Sequence, residues 1–351
     1  VVVKILIKYL RPLGTYFFIL GLAIIFFHID HGVELKNATK KLLTVYAYSS
    51  FTQSWGAGPE LVLIFEEACN CKVDLIDAGD SGVLLQKLRY EVGNVDVVLG
   101  MDQMTKDEAL SGFAWHEFSE KFFSDIQWSP MLPVSLEKKT LIPFDWAPLT
   151  FVIRKGDVKP PISLDDLLDQ RFEKKISLQD PRTSNLGFQF YYWLISEKGE
   201  AGAINYLEKL KGNIFSMAPS WSAAYGLFQT KQVPLTFSYL TSLMYHWQQE
   251  KDLDQIEAAN FVQGHPYQVE YVGIPATSAD RDLAEKFIRF LLSEKAQEII
   301  VTRNFMLPVV KLTSSSENLR RLPKLKIKEL NYSSLTAEKK KTWLELWKGL
   351  W

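Results

Sequence analysis

LIPFDWAPLTFVIRKG, Leu141 to Gly156, decides how this chain is organised. Two prolines and a run of residues that prefer extended backbone read as a crossover strand that leaves one lobe and enters a second. Upstream, strand and helix alternate. Lys41 to Phe51, KLLTVYAYSSF, is a strand ending in a polar turn, and Gly56, Gly58 and Pro59 lead into a helix over Glu60 to Ala68. Lys72 to Ile76 is a second strand, Val83 to Val92 a helix, and Asn94 to Gly100 a third strand. That alternation implies a mostly parallel sheet covered by helices. The loops after its strands share one edge, which carries Tyr48, Ser49, Ser50, Asp80, Ser81, Met101 and Asp102. Asp80 is either a helix N-cap or a ligand contact, and the roles are compatible. Gly79-Asp80-Ser81-Gly82 lacks the spacing of a nucleotide fingerprint and the lysine of a P-loop.

Downstream of the crossing, Ser163 caps a helix over Leu164, Leu167 and Leu168. KKISLQDPRTSNLGFQFYYWLI then reads as strand, polar loop and helix, with Asp180, Arg182, Thr183, Ser184 and Asn185 just before the helix start. Such a start holds an anion or caps itself. Met217 to Trp247 carries Trp221, Tyr225, Phe228, Phe237, Tyr239, Tyr245 and Trp247 among small polar residues, too polar a mixture for plain core. Ser220 caps a helix bearing Trp221, Tyr225 and Phe228, a strand runs from Val233 to Tyr239, and Thr241 or Ser242 caps the next helix. Trp221, Tyr239 and Tyr245 then line one cleft, unless these rings merely pack helices on a sheet.

NFVQGHPYQVEYVGIPA, Asn260 to Ala276, is the return crossing, extended from Tyr267 to Ile274. Asp280 to Leu292 is an amphipathic helix and Ser293 to Val301 another, and the turn after Thr302 brings Phe305 back to the cleft. Residues 311–334 wrap the surface. Thr336 caps a final helix whose Trp343, Leu344 and Trp347 dock on the first lobe. The expected division is 1–37 as a signal peptide or uncleaved anchor, 38–145 with 268–351 as lobe 1, and 146–267 as lobe 2.

Of 351 residues, 47% are hydrophobic and 23% charged, enough for two sizeable cores. Forty basic against forty-one acidic residues leave a net charge of -1, which offers no general attraction to nucleic acid or anionic lipid. Lys4, Lys8 and Arg11 precede an apolar run, Leu13 to Phe27, the pattern of an export signal or membrane tether. The chain beyond that run is therefore expected to be exported. The only cysteines, Cys69 and Cys71, read as an oxidised pair, half of a metal site, or two free thiols. Export favours the disulfide, and the five histidines show no metal-ligand spacing.

LTVYAYSSF with Trp55-Gly-Ala-Gly-Pro, Cys-Asn-Cys, DVVLG, PFDWAPLTF, QDPRTSNLG, WSAAYGLF, SYLTSLMYH, AANFVQGHPYQVE and NFMLPV, in this order, resemble the thiamine-binding periplasmic proteins of ABC importers. Each motif alone is weak; the ordered set is specific from about Leu42 to Pro308. The resemblance implies a type II periplasmic-binding-protein fold, α/β in class, with two lobes on a hinge of two crossover strands and a ligand cleft between them. It implies the periplasm as location, thiamine as ligand, a membrane permease and an ATPase as partners, a monomer, no catalysis, no cofactor and no metal. It assigns ligand contacts to Tyr48, Asp80, Ser81, Ser184, Asn185, Trp221, Tyr239, Leu240, Thr241, Ser242, Tyr245 and Phe305. Two departures stand out: the family's Asp-Gly-Val is here Asp80-Ser81-Gly82-Val83, and its tryptophan before Met-x-Pro is Phe305, which lacks an indole donor.

The rivals are a thiaminase-like enzyme and a ferric-iron receptor of the same architecture. The first needs a reactive cysteine in the cleft, and Cys69 and Cys71 are expected at the opposite edge of the sheet. The second needs adjacent tyrosines with a histidine or carboxylate, and has no use for Trp221.

Overall fold

The computed structural model describes residues 40–90, 95–135, 139–249, 255–314 and 317–351, without the side chains of Ser81, Gly82 and Ser333. The expected signal or anchor over residues 1–37 lies outside the described residues. From β1 (Leu42–Ala47) the chain turns through α1 (Ser49–Thr52) into α2 (Ala57–Cys69), then β2 (Lys72–Asp77), α3 (Ser81–Tyr90) and β3 (Val97–Asp102). Two short helices, α4 (Lys106–Gly112) and α5 (Glu120–Phe123), precede the long strand β4 (Leu141–Arg154). There follow β5 (Ile176–Gln179), α6 (Asn185–Leu210), β6 (Ile214–Ala218), α7 (Trp221–Gln229), β7 (Leu235–Tyr239), α8 (Ser242–Gln248) and β8 (Ile256–Ala258). The chain ends with β9 (Tyr267–Gly273), α9 (Arg281–Leu291), α10 (Glu294–Ile299), a π-helical turn Ile300–Asn304, β10 (Leu307–Pro308), α11 (Glu317–Arg321) and α12 (Ala337–Leu350).

β4 organises this mixed α/β sheet, whose order is β2-β1-β3-β9-β4-β7-β5-β6. Leu141 to Pro148 pair with β9, whereas Leu149 to Ile153 pair with β7 and Val152 to Arg154 with β8. A proline cannot donate to a ladder, so it belongs at a bulge or an edge. Pro143 sits where the β4–β9 register shifts, and Pro148 sits where β4 exchanges one partner for the other. Both prolines therefore fall where regular pairing is interrupted.

Two apolar clusters flank that exchange point. One contains Val45, Phe51, Leu99, Phe144 and Val269, and takes α9 through Leu283, Ala284, Phe287, Ile288 and Leu291. These lie three and four apart, the spacing of a helix with one buried face. Each large side chain buried contributes roughly 1.5–3 kcal/mol before the entropy of ordering it. The second cluster contains Phe151, Phe190, Trp193 and Phe237. The final helix is capped as expected, Thr336 Oγ1 accepting from Lys339 N–H, but its tryptophans pack on α6, within the expected lobe 2, and not on the expected lobe 1. Trp343 stacks on Tyr192, centroids 5.6 Å apart, and Trp347 packs on Tyr191, because α6 presents these rings as an aromatic face.

Cys69 and Cys71 form a disulfide between the end of α2 and the start of β2. No helix among the described residues is long and apolar enough to cross a membrane.

Candidate functional site

The carboxyl ends of strands from both halves of the sheet converge. β1, β2 and β3 are mutually parallel, and Asp102 at the end of β3 stands opposite Glu270, which itself stands opposite Asp145 of β4. β7 runs antiparallel to β4, with its last residue, Tyr239, opposite Leu149. Loops after the strands of an α/β sheet are where ligands bind, and a cavity of about 780 Å³ opens here. Its walls include Tyr48, Ser49, Ser50 and Trp55, Asp80, Ser184, Ser220 and Trp221, Tyr239, Ser242 and Tyr245, Gln268 and Glu270, and Arg303 to Met306.

The serines among the aromatics position the rings. Ser220 Oγ accepts from Ala223 N–H and starts α7, which sets Trp221 at the mouth of its first turn. Trp221 stacks on Tyr225 with centroids 5.0 Å apart and planes 20° apart. Its indole N–H donates to Ser238 Oγ at 2.9 Å, and Ser238 Oγ lies 2.9 Å from Ser242 Oγ. Tyr225 Oη is in turn 2.9 Å from His246 Nε2. Tyr245 and Phe305 meet edge to face at 5.5 Å, Phe305 holding a left-handed backbone, φ 53°, just past the π-helical turn. Positive φ in a bulky residue is uncommon and persists only where packing fixes it. Gly100, at φ 106°, is needed for a different reason: a Cβ there would stand 2.2 Å from the Tyr48 ring.

Below the rings the site is acidic. Gln268 Nε2 donates to Tyr239 Oη and to Glu270 Oε1, each at 3.0 Å. Asn304 Nδ2 donates to Tyr48 Oη at 2.7 Å and to Asp145 Oδ2 at 2.8 Å. Burial pushes the Glu270 carboxyl up to about 7 and Asp145 well above the usual carboxylate range, since the neutral form is the cheaper one away from water. The phenols of Tyr48 and Tyr239 are raised by burial and by the neighbouring carboxylates. The nearby cations are engaged elsewhere: Arg303 Nε donates to Glu60 at 2.8 Å, and Arg182 Nε donates to both Asp180 oxygens at 2.9 and 3.0 Å. The cavity is thus walled by aromatic rings and acidic groups, an arrangement that can hold a flat cation. Among the described residues no group of three or more His, Cys, Asp or Glu is placed to hold a metal ion.

Of the residues expected at a ligand, Tyr48, Asp80, Ser184, Trp221, Tyr239, Ser242, Tyr245 and Phe305 line this cavity. Ser81 opens α3, and its side chain lies outside the described residues. Three do not reach the wall. Asn185 turns its amide to Asp102 Oδ1 at 2.9 Å. Leu240 is buried in a third apolar cluster with Val152 and Met244. Thr241 is fully buried, and neither it nor Ser242 caps α8 through a side chain. Sequence reasoning missed Gln268, Glu270, Asn304 and Asp145. A signal existed for two of them: in YQVEYVG the polar Gln268 and Glu270 occupy one face of a strand buried on both, where charge is costly without a purpose.

Residues 43–305 match the family model of the bacterial extracellular solute-binding proteins. The chain is 37% identical to the thiamine-binding periplasmic protein of Salmonella typhimurium, over 80% of this chain and 85% of that one. It is 32% identical to the protein of that name from Haemophilus influenzae, over 87% and 91% of the two chains. A solved periplasmic thiamin binding protein superposes with a TM-score of 0.80 at 33% identity, covering 89% of this chain and 96% of that one. A ferric binding protein from Campylobacter jejuni shares the fold, with a TM-score of 0.71 at 18% identity over 88% of this chain and 99% of that one.

Proposed function

The chain belongs to the family of bacterial extracellular solute-binding proteins, and from that membership we propose that it captures thiamine outside the cytoplasm and hands it to an ABC importer. The observation that carries the ligand is the cavity: Trp221, Tyr239, Tyr245 and Phe305 share its walls with the acidic residues Asp80 and Glu270. Thiamine pairs a flat aminopyrimidine with a permanently cationic thiazolium. Stacking the first contributes roughly 0.5–1.5 kcal/mol per aromatic pair, and placing the second over a ring roughly 0.5–2 kcal/mol. Ser184 Oγ is buried without a hydrogen-bond partner at the cavity wall, a donor for the hydroxyethyl end or a phosphate ester. Relatives named as thiamine-binding periplasmic proteins support both ligand and location.

In this reading the protein is a monomeric receptor without catalysis or cofactor, and its partners are the importer's permease and ATPase. The disulfide of Cys69 and Cys71 lies at the amino end of β2, whereas the cavity lies beyond the strands' carboxyl ends, so neither sulfur is positioned to attack a ligand. The halves of the sheet close on the ligand about β4 and β9. A tryptophan-fluorescence titration with thiamine, with mass analysis of the recovered ligand and metal analysis of the protein, tests all of this. Saturable quenching with intact thiamine is the expected result. Cleaved thiamine would make the protein an enzyme, and stoichiometric iron with no thiamine response would make it an iron receptor.

A further inference from the structure

Three acidic residues lie abreast on adjacent strands, one of them, Glu270, at the cavity wall. The register sets Asp102 of β3 opposite Glu270 of β9, and Glu270 opposite Asp145 of β4. Residues paired across strands leave the sheet on one face, where like charges repel. Asp102 and Asp145 are fully buried and Glu270 is 5% exposed. Asp102 is compensated: its Oδ1 accepts from Asn185 Nδ2 and Met104 N–H, each at 2.9 Å, and the Lys340 ammonium of α12 attracts its charge. Among the described residues no cation is paired with either of the other two. Asp145 Oδ1 and Glu270 Oε2 are both buried with no hydrogen-bond partner, although Glu270 lines the cavity. A proton held between them would satisfy both atoms, and two such carboxylates cannot both ionise cheaply.

We propose that Glu270, backed by Asp145, is the ion-pairing partner of the ligand's cationic ring, and that the cation displaces a proton which the two carboxyl groups hold in the ligand-free protein. The inference rests on the thiamine reading. In the displacement an O–H bond of a carboxyl group breaks, its proton passes to bulk water, and the carboxylate stays beside the cation; nothing is oxidised or reduced. The raised pKa of each acid fits a proton retained near neutral pH. The other ionisable groups around the pair are Tyr48 after β1, Asp80 after β2, Asp102 at the end of β3, Tyr239 at the end of β7 and Arg303, which is bound to Glu60. Lys340 stands behind Asp102, and its own pKa is lowered by burial. None of the described residues brings uncommitted positive charge to the pair and a ligand cation would, so a neutral ring of the same shape is selected against.

The test is calorimetric titration of the full chain with thiamine at pH 6 and pH 8, in buffers of different ionisation enthalpy. About one proton leaves per thiamine bound at pH 6 and little at pH 8, so affinity falls by up to about tenfold for each pH unit below neutrality. Glu270→Gln keeps the bond from Gln268. It is expected to abolish the proton release, weaken binding at pH 8 by about tenfold or more, and raise the melting temperature of the ligand-free protein. Thiamine binding without proton exchange, or wild-type affinity in Glu270→Gln at pH 8, overturns the inference and leaves the thiamine reading standing. A Glu270→Gln protein that melts below wild type overturns it as well, because the residue would then be structural. No thiamine binding at either pH overturns both.

Discussion

Acid should loosen this fold at one histidine. His265 is fully buried at the return crossing, between the rings of Trp193 and Phe261. Its Nε2 accepts from Phe261 N–H at 2.9 Å, which assigns the ring proton to Nδ1, and that N–H donates to Leu149 O at 3.0 Å. Leu149 is the residue at which β4 takes β7 as its partner. Protonating Nε2 would set two donors face to face, and burial already holds the imidazole down at about 4 against its usual 6.5. Above pH 6.5 the folded and unfolded chains are both neutral here, and the contribution is fully present. As pH falls toward 4 only the unfolded chain takes the proton, so stability drops by about 1.4 kcal/mol per pH unit, roughly 3 kcal/mol across the window. Glu270 acts oppositely. Its folded pKa lies above the unfolded one, so its contribution is complete below the unfolded carboxylate pKa and is lost as pH rises through about 7. The histidine term must therefore be read as a difference. Urea unfolding of wild type and His265→Gln, which keeps a donor and an acceptor, should give stability curves that diverge by roughly 3 kcal/mol from pH 7 to pH 4. Parallel curves, or an NMR titration of His265 near 6.5, would refute the argument.

Three other perturbations probe the site. Trp221→Ala removes one ring face and its stack on Tyr225, and should weaken thiamine binding by about 1–2 kcal/mol in calorimetry, whereas Trp221→Phe should lose less, since Ser238 keeps its bond to Ser242. Gly100→Ala drives a methyl into the Tyr48 ring from a left-handed backbone; a loss of roughly 1–3 kcal/mol in folding stability together with weaker binding is expected by thermal melts and titration. Cys69→Ser with Cys71→Ser should leave thiamine affinity unchanged, because the disulfide lies at the edge away from the cavity, and an affinity change beyond twofold would count against that placement.

Local pattern made much of this protein legible. The 3.6-residue spacing of Leu283, Phe287 and Leu291, the caps at Ser220 and Thr336, and the extended run from Leu141 to Arg154 each depend on near neighbours along the chain, so the sequence displays them directly. Trp221, Tyr239 and Tyr245 were readable as cleft residues for the same reason: each sits at a helix start, a strand end or one helical turn beyond.

Tertiary structure decided what depends on residues far apart in sequence. The acidic row exists only because β9 inserts between β3 and β4, which brings Asp102, Asp145 and Glu270 abreast from three distant segments. The tryptophans of the final helix announce an apolar face without naming its partner, so the sequence reading set them on the first lobe; the aromatic face of α6 holds them instead. Asn185, Leu240 and Thr241 were near the site in sequence yet point elsewhere, because neighbouring residues in a helix or turn face different directions. Sequence spacing sets which side chains share a face, whereas the folded register alone sets what that face meets.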